Sequence, residues 1–252
     1  QDIHDLKLWS QLVHSVIAGH VIGVLAGPNC CSWSILLHRL CQGYPGPRRN
    51  RWNPWNPMKL NDFALDGESL LMLKPWLLIM LGHKFHGDSF THLVEHPADP
   101  ELRPDLKRQW LSLSESRVPC PSFWVTKFYT HLKYSLPGWE QTFDQGPFGA
   151  MARKPTTIHT SLDLQVDGTF GPASIFTGLD AVKSSSKLSR WAPGLRFEIV
   201  AALSQHVKKH APVVDLNRHV VQVFAASKRY TQKQPPVQED KQLQTKENVP
   251  TH

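Results

Sequence analysis

The chain contains little cysteine and no long uninterrupted apolar run. It has four cysteines among 252 residues, and two of them, Cys30 and Cys31, are adjacent. Adjacent cysteines rarely bridge each other, so the count disfavours a disulfide framework and favours a reducing, intracellular compartment. The longest apolar stretch, Leu70 to Leu81, is interrupted by Lys74 and Pro75 and is too short to span a bilayer. We also find no secretory signal pattern, so we expect a soluble protein without a membrane partner.

Positive charge is in excess. Lysine and arginine number 28 against 21 aspartate and glutamate residues, which gives a formal net charge of +7 with histidine neutral. Such an excess favours polyanionic partners, with nucleic acid first among them and DNA as the favoured form. The nucleus is then a candidate compartment within the cell.

Hydrophobic periodicity predicts alternating helices and strands in the first half of the chain. A helical stripe covers Leu6 to Ala18 and leads into an apolar strand, His20 to Leu25, which stops at a Gly-Pro turn. Two further helical patterns cover Ser34 to Leu40 and Gly67 to Leu81. Ser89 to Val94 is predicted to form the next strand.

The second half continues with helices and late strands. Helical patterns cover Asp105 to Leu113 and Ser122 to Leu132, and strands are predicted over Trp139 to Phe143 and Thr156 to Val166. A final amphipathic helix covers Leu195 to Val207.

The order of these elements favours an α/β fold with a doubly wound sheet of the Rossmann-like type. We expect residues 1–227 to form this one domain. Residues 228–252 are rich in Gln, Lys, Pro and Glu and are predicted to be a disordered tail. The expected sheet is incomplete, because a nucleotide-binding sheet normally begins with a strand and a Gly-rich turn that docks the cofactor. Nothing before Leu6 supplies these N-terminal cofactor-binding strands.

Cys30 follows the first strand, where open α/β sheets place their ligands. A thiol at this position serves as a nucleophile when a cation or a helix N-terminus lowers its pKa. The alternative is a structural cysteine, since the residue is commonly a small buried hydrophobe. Cys31 is a second candidate for the reactive thiol.

Three ordered segments resemble the motifs of cytosine-5 DNA methyltransferases. Segment 27–30, Gly-Pro-Asn-Cys, is similar to the family's Pro-Cys loop, with Asn29 in place of the usual proline. Segment 93–97, Leu-Val-Glu-His-Pro, is similar to its Glu-Asn signature, with His96 replacing asparagine. Segment 148–155 resembles its aromatic-Gly turn followed by spaced arginines.

The similarity is closer to a divergent group of methyltransferase-like domains in mobile-element polyproteins, and it spans residues 8–208. Their patterns are Gly-Pro-x-Cys-x-x-Trp-Ser, a Gly-Pro-Arg loop, Glu-His-Pro-Ala and Phe-Asp-Gln-x-x-Phe-Gly-Ala-x-x-x-Lys-Pro-Thr-Thr. These patterns are met at Gly27 to Ser34, Gly46 to Arg48, Glu95 to Ala98 and Phe143 to Thr157.

The resemblance implies a specific chemistry. A thiolate adds to C6 of cytosine, a carboxylic acid stabilises the protonated N3, and C5 attacks the methyl group of S-adenosylmethionine, once the base has left the duplex. Carried over by motif, Cys30 is the nucleophile, Glu95 the acid, and Arg153 a base or thiolate stabiliser. In the structural alternative, Glu95 caps a strand end or pairs with a basic neighbour, and Arg153 and Lys154 are ordinary exposed cations.

Cofactor binding rests on the resemblance alone. The sequence contains no Phe-x-Gly-x-Gly-like segment that would bind S-adenosylmethionine. We therefore expect the isolated chain to be inactive in methyl transfer. The departures at Asn29 and His96 also favour a degenerate enzyme.

A loop over residues 43–57 combines cations with indoles. Cations suit phosphate and indoles suit base stacking, so this composition is typical of a nucleic-acid-binding loop. In the alternative, the loop is a solvated turn with tryptophans docked on the core. The predicted nucleic-acid-binding residues are Arg48, Arg49, Arg51, Trp52, Trp55 and Lys154.

Two histidine pairs have spacings that metal sites use. His206 and His210 lie four residues apart on a predicted helix, and His83 and His86 are close together. Neither pair has an obvious third ligand, so no metal site is predicted.

Three functions therefore remain open. The chain is a degenerate or truncated methyltransferase-like domain, a non-catalytic nucleic-acid-binding module of a mobile-element protein, or a purely structural domain.

Overall fold

The computed structural model describes residues 5–28, 30, 33, 49–55, 63–107, 120–150, 153–171, 190–210 and 219–224, with the backbone alone at 63–66 and 219–224. Within these residues the chain forms an α/β structure with a five-stranded mixed sheet and helices packed on both faces. The helix predicted over 34–40 and the tail predicted over 228–252 lie outside the described residues.

Parallel and antiparallel strands share the sheet. The strands are β1 (Val21–Gly27), β2 (Thr91–Pro97), β3 (Trp139–Asp144), β4 (Pro155–Thr160) and β5 (His219–Phe224). Their order is β3-β4-β2-β1-β5. β1 runs parallel to β2 and β5, whereas β4 runs antiparallel to β2 and β3. A parallel centre with antiparallel strands towards one edge occurs in doubly wound folds, so the sheet is compatible with the expected class.

Four α-helices have both ends within the described residues. They are α1 (Leu6–Ile17), α2 (Phe63–His86), α3 (Lys127–Ser135) and α4 (Pro193–His210). α1 begins after Asp5, whose carboxylate accepts hydrogen bonds from two backbone N–H groups of the first turn. Within the described part of the chain, no helix combines the length and the apolar character needed to cross a bilayer.

Four predictions for the first half of the chain are confirmed. The helix predicted over 6–18 is α1, and the strands predicted over 20–25 and 89–94 are β1 and β2, each of which ends slightly later. The helix predicted over 67–81 is α2, which is longer at both ends and continues through Pro75.

Two predictions for the second half need correction. The helix predicted over 122–132 is divided, because Thr126 is extended and caps α3 by accepting the backbone N–H of Tyr129. A short 3-10 turn, Phe123–Val125, precedes this break. The strand predicted over 156–166 ends earlier, with β4, because the chain then bends.

β5 has no counterpart in the sequence-based prediction. A six-residue strand gives only a short apolar run, which periodicity alone does not identify as a strand. The final helix was predicted over 195–207 and is confirmed as α4, with extensions at both ends. Because β5 pairs with β1, the strand that leads to Cys30 lies inside the sheet rather than at its edge.

Each face of the sheet has its own apolar core, because successive side chains of a strand point to opposite faces. The core shared with α1, α2 and α3 includes Val16, Val24, Met72, Trp76, Val94, Phe123 and Tyr129. The core shared with α4 includes Leu25, Leu93, Phe143, Ile158, Leu195 and Ile199. Together the two cores fix the sheet between helical layers and hold the ends of β1 and β2 in place.

Candidate functional site

The ends of β1 and β2 lie side by side. Ala26 pairs with Val94 in the parallel register, which brings Gly27 next to Glu95. A Cβ atom built on Gly27 would lie 3.4 Å from Oε2 of Glu95. Cys30 follows three residues later and is half-buried. The structure therefore brings together the two strand ends that carry the predicted nucleophile and the predicted acid.

The local turn after β1 positions Cys30. The carbonyl oxygen of Cys30 accepts the backbone N–H of Trp33 at 3.0 Å, and the Trp33 ring is buried in the core. This hydrogen bond and the buried ring hold Cys30 close to the core. Asn29 and Cys31 lie outside the described residues.

Glu95 is a buried carboxylate surrounded by donors. The indole Nε1–H of Trp191 donates to Oε2 at 3.0 Å. The side-chain amide of Gln145 donates to Oε1 at 3.3 Å, and the ammonium of Lys154 lies 3.5 Å from the same oxygen. Both carboxylate oxygens therefore accept hydrogen bonds or pair with a cation, which satisfies a group that burial would otherwise penalise.

Gln145 links three parts of the site. Its side-chain carbonyl accepts the backbone N–H of Ala192 at 2.9 Å, just before α4. Its amide nitrogen donates to the Thr156 hydroxyl at 2.9 Å as well as to Glu95. Because the side chain of Gln145 is fully buried, it holds the turn after β3, the start of β4 and the start of α4 against the carboxylate.

Arg153 lies in an ion-pair network instead of at Glu95. Its guanidinium donates to Asp144 at 2.6 Å and contacts Asp105, while Arg103 pairs with the same two carboxylates. Burial raises the pKa of Asp105, but the two guanidiniums outweigh burial and lower the pKa to about 2. This placement differs from the predicted role of Arg153 as a base or thiolate stabiliser.

Lys154 is the cation beside Glu95. Its backbone φ is 41°, which is the only positive φ of a non-glycine residue within the described part of the chain. Such a conformation is unfavourable for a residue with a Cβ atom and persists where the surroundings impose it. The predicted nucleic-acid contact Lys154 is thus placed against the predicted acid.

Two of the predicted phosphate-binding arginines are engaged within the protein. Arg49 is fully buried, where its guanidinium lies 4.5 Å from the Trp33 ring centroid and donates to the carbonyl oxygen of Pro54 at 2.6 Å. Arg51 makes two hydrogen bonds to Asp99, at 2.9 and 2.7 Å. Both placements differ from the predicted contacts with phosphate, because each guanidinium binds groups of the protein itself.

The two tryptophans of the same loop differ in their exposure to solvent. Trp55 packs edge-on against Trp33 with ring centroids 5.4 Å apart, as the core-docked alternative requires. Trp52 is 80% exposed. The predicted interface therefore retains one accessible indole, and Arg48 lies outside the described residues.

His96 occupies the position where the resembled family has asparagine. It is buried beside Trp33, with ring centroids 5.8 Å apart. Burial, followed by the nearby charge of Arg49, lowers its pKa to about 3. The ring is therefore a neutral part of the core at physiological pH.

Sequence reasoning did not identify Gln145 or Trp191 as site residues. Gln145 falls within the Phe-Asp-Gln pattern, which was a usable signal, whereas Trp191 lies in none of the quoted motifs. No group of three or more His, Cys, Asp or Glu residues in the described ranges is arranged to hold a metal ion. Comparisons with protein-family models, with curated proteins and with solved structures found no match.

Trp191 tests whether the Glu95 contacts stabilise the fold. We predict that Trp191→Phe lowers the free energy of unfolding by about 1–3 kcal/mol, because it leaves a buried carboxylate oxygen without its donor. Urea denaturation measures the change. Trp52→Phe is the matched control, since this indole is exposed, and it should change stability by less than about 0.5 kcal/mol. Equal effects of the two substitutions would contradict the described role of the Trp191 indole.

His96 should make stability depend on pH. Its pKa is about 3 in the folded chain against an ordinary value of 6.5, so between these values the unfolded chain binds a proton that the folded chain does not. The free energy of unfolding therefore falls as the pH falls from 6.5 towards 3. We predict that His96→Phe reduces this slope by about one proton, or about 1.4 kcal/mol per pH unit.

Denaturation with urea at pH 7, 6, 5 and 4 measures the slope for the native chain and for the variant. His131→Phe, at an exposed position, is the control and should keep the native slope. If His96→Phe keeps the native dependence of the free energy of unfolding on pH, burial does not hold His96 neutral.

Proposed function

We propose that this chain is a degenerate cytosine-5 DNA methyltransferase-like domain that keeps the part of the site that handles the cytosine ring. The observation that carries the proposal is the buried Glu95 carboxylate at the end of β2, beside the strand end from which Cys30 follows. A thiol and a carboxylate at neighbouring strand ends are the two groups that addition to a pyrimidine ring requires. The isolated chain is not expected to transfer a methyl group.

The fold supports the position of the proposed site. In open α/β sheets, ligands bind outside the carboxyl ends of parallel strands, at the point where the strand order reverses. β1 has β2 on one side and β5 on the other, and both neighbours are parallel to it. A Rossmann-like, methyltransferase-type sheet would place its reacting groups at this edge.

The roles of the residues follow from their chemistry. Cys30 would add as a thiolate to C6 of cytosine, and Glu95 would stabilise the protonated N3 of the ring. Lys154, at 3.5 Å from Glu95, supplies the local positive charge that the resemblance assigned to Arg153. Gln145 and Trp191 orient the carboxylate by donating to one oxygen each.

S-adenosylmethionine would supply the methyl group in a complete domain of this kind. The sequence contains no Gly-x-Gly turn, and the described strand ends offer no glycine-rich cradle for such a cofactor. The residues present therefore do not fit the cofactor. No methyl-transfer step is assigned to this chain.

DNA is the partner that this function requires, and the nucleus the compartment. The net charge of +7 supports a polyanionic partner, and the exposed Trp52 offers a ring on which a base can stack. The same observations favour a second candidate function, a non-catalytic nucleic-acid-binding module of a mobile-element protein.

Hydrogen exchange at C5 of cytosine tests the proposed chemistry without the cofactor. The thiolate of Cys30 forms a bond to C6, C5 takes a proton from water and loses its original hydrogen, and the S–C6 bond breaks. We predict release of tritium from single-stranded DNA labelled at cytosine C5. Cys30→Ala should abolish the release, and Glu95→Gln should slow it by about 100-fold or more.

Cys120→Ala is the control, because Cys120 is a buried cysteine outside the site, and it should leave the release unchanged. Tritium release that persists in Cys30→Ala would contradict the proposal. No release from the native chain would also contradict it and would favour the binding module. Methyl incorporation from labelled S-adenosylmethionine that Cys30→Ala abolishes would show that the chain binds the cofactor and transfers its methyl group.

Binding to single-stranded DNA separates the two candidate functions from a purely structural domain. We predict salt-sensitive binding that Trp52→Ala weakens by about 1–3 kcal/mol, because the exposed indole loses a stacked base. Titration of a labelled oligonucleotide at several salt concentrations measures both effects. Trp139→Ala, at a partly exposed position outside the loop, is the control. Absence of binding at low salt would favour the structural domain.

A further inference from the structure

The side chains of three histidines form a continuous hydrogen-bonded row away from the Glu95 site. Nε2 of His83, on α2, lies 2.8 Å from Nδ1 of His92, on β2. Nε2 of His92 lies 2.9 Å from Nδ1 of His159, on β4. His92 and His159 are fully buried, and their rings are stacked with centroids 5.1 Å apart. The histidine row therefore runs from a helix across two strands of the sheet.

The hydrogen bonds determine which nitrogen of each ring carries the hydrogen. Nδ1 of His83 lies 3.3 Å from the carbonyl oxygen of Gly87, which can only accept, so Nδ1 carries the hydrogen. Nε2 of His83 is then an acceptor, and His92 must donate to it from Nδ1. By the same reasoning His159 donates from Nδ1 to His92. All three neutral rings carry their hydrogen on Nδ1.

One nitrogen of the histidine row has a lone pair that accepts no hydrogen bond from any described residue. Nε2 of His159 is buried and has no hydrogen-bond partner among the described residues. Around it lie the rings of Trp76 and Tyr129, and Glu140 is its partner in the register of β3 and β4. The Tyr129 hydroxyl donates to Glu140 at 2.8 Å. The charged groups at this end are Glu140 and Lys133, which pair at 3.2 Å.

The other end of the histidine row, at His83, lies at a cavity. His83 lines a space of about 410 Å³ between the start of β2 and α4. Phe90 and Trp139 contribute apolar walls. The titratable and charged groups that line it, besides His83, are Asp88, Asp163, His206, Lys209 and His210.

We propose that His83, His92 and His159 act as one proton relay, which takes up a single proton and presents its charge at His83 in the cavity. A proton from bulk solvent, added at Nε2 of His159, lets the Nδ1 hydrogen of His159 pass to Nε2 of His92. The Nδ1 hydrogen of His92 then passes to Nε2 of His83. Only N–H bonds form and break, and the charge moves from the interior to the cavity.

The surroundings favour the charge at the His83 end. Burial lowers the pKa of all three rings, to about 4 for His159 and well below the ordinary value for His92. At His83, the Gly87 carbonyl and Asp88 act in the opposite direction and favour the charged form, against a smaller opposing effect of His206. In this proposal the charge of the relay lies at His83, in the wall of the cavity.

Nitrogen-15 NMR of the full chain with labelled histidine tests the relay directly. At pH 8, the three rings should each show a hydrogen on Nδ1 and none on Nε2. On acidification, the resonances of all three rings should shift with one common midpoint, and the relay should bind one proton in total.

His83→Gln is the informative variant, because its amide oxygen can accept from His92 but cannot carry the proton. We expect the common step to disappear from His92 and His159 while the amide spectrum remains that of the native fold. His131→Gln, at an exposed position, is the control and should keep the common step. Three separate midpoints, a hydrogen on Nε2 of any ring at pH 8, or an unchanged step in His83→Gln would overturn the proposal. If His83→Gln does not fold, the spectra of the native chain decide.

Discussion

The need to satisfy a buried carboxylate at the end of β2 is the constraint on which the candidate site depends. Glu95 is only 7% exposed, so its oxygens require donors from the protein. Those donors come from Gln145, Lys154 and Trp191, which belong to the turn after β3, the segment before β4 and the segment before α4. Satisfying one carboxylate therefore ties the antiparallel part of the sheet and the last described helix to the parallel strands.

Electrostatic pairing also explains why a basic chain has few available cations in the described loop. Arg51 pairs with Asp99, and Arg153 pairs with Asp144, so each guanidinium offsets a carboxylate inside the fold. Arg49 is held over an indole in the core. The excess positive charge of the chain therefore comes from other residues. The exposed Trp52 is the feature of this loop that a nucleic acid could still contact.

Local patterns predicted most of the described elements, whereas long-range contacts decided the site. α1, β1 and β2 follow from apolar periodicity, and their parallel order places Cys30 and Glu95 at one edge. The different partners of Arg153 and Lys154, Asp144 and Glu95, could not be predicted, because tertiary contacts decide which carboxylate each cation meets. Trp191 was missed because it is 96 residues from Glu95 in sequence, and no local pattern carries that contact.

The central claim is that Cys30 and Glu95 belong to one site. The distance between the Cys30 sulfur and the Glu95 carboxylate in a crystal structure of the chain measures this claim most directly. Our interpretation predicts a distance within about 10 Å, two strand spacings, with both groups facing a common space. A larger distance, or a thiol turned into the opposite core, would contradict it.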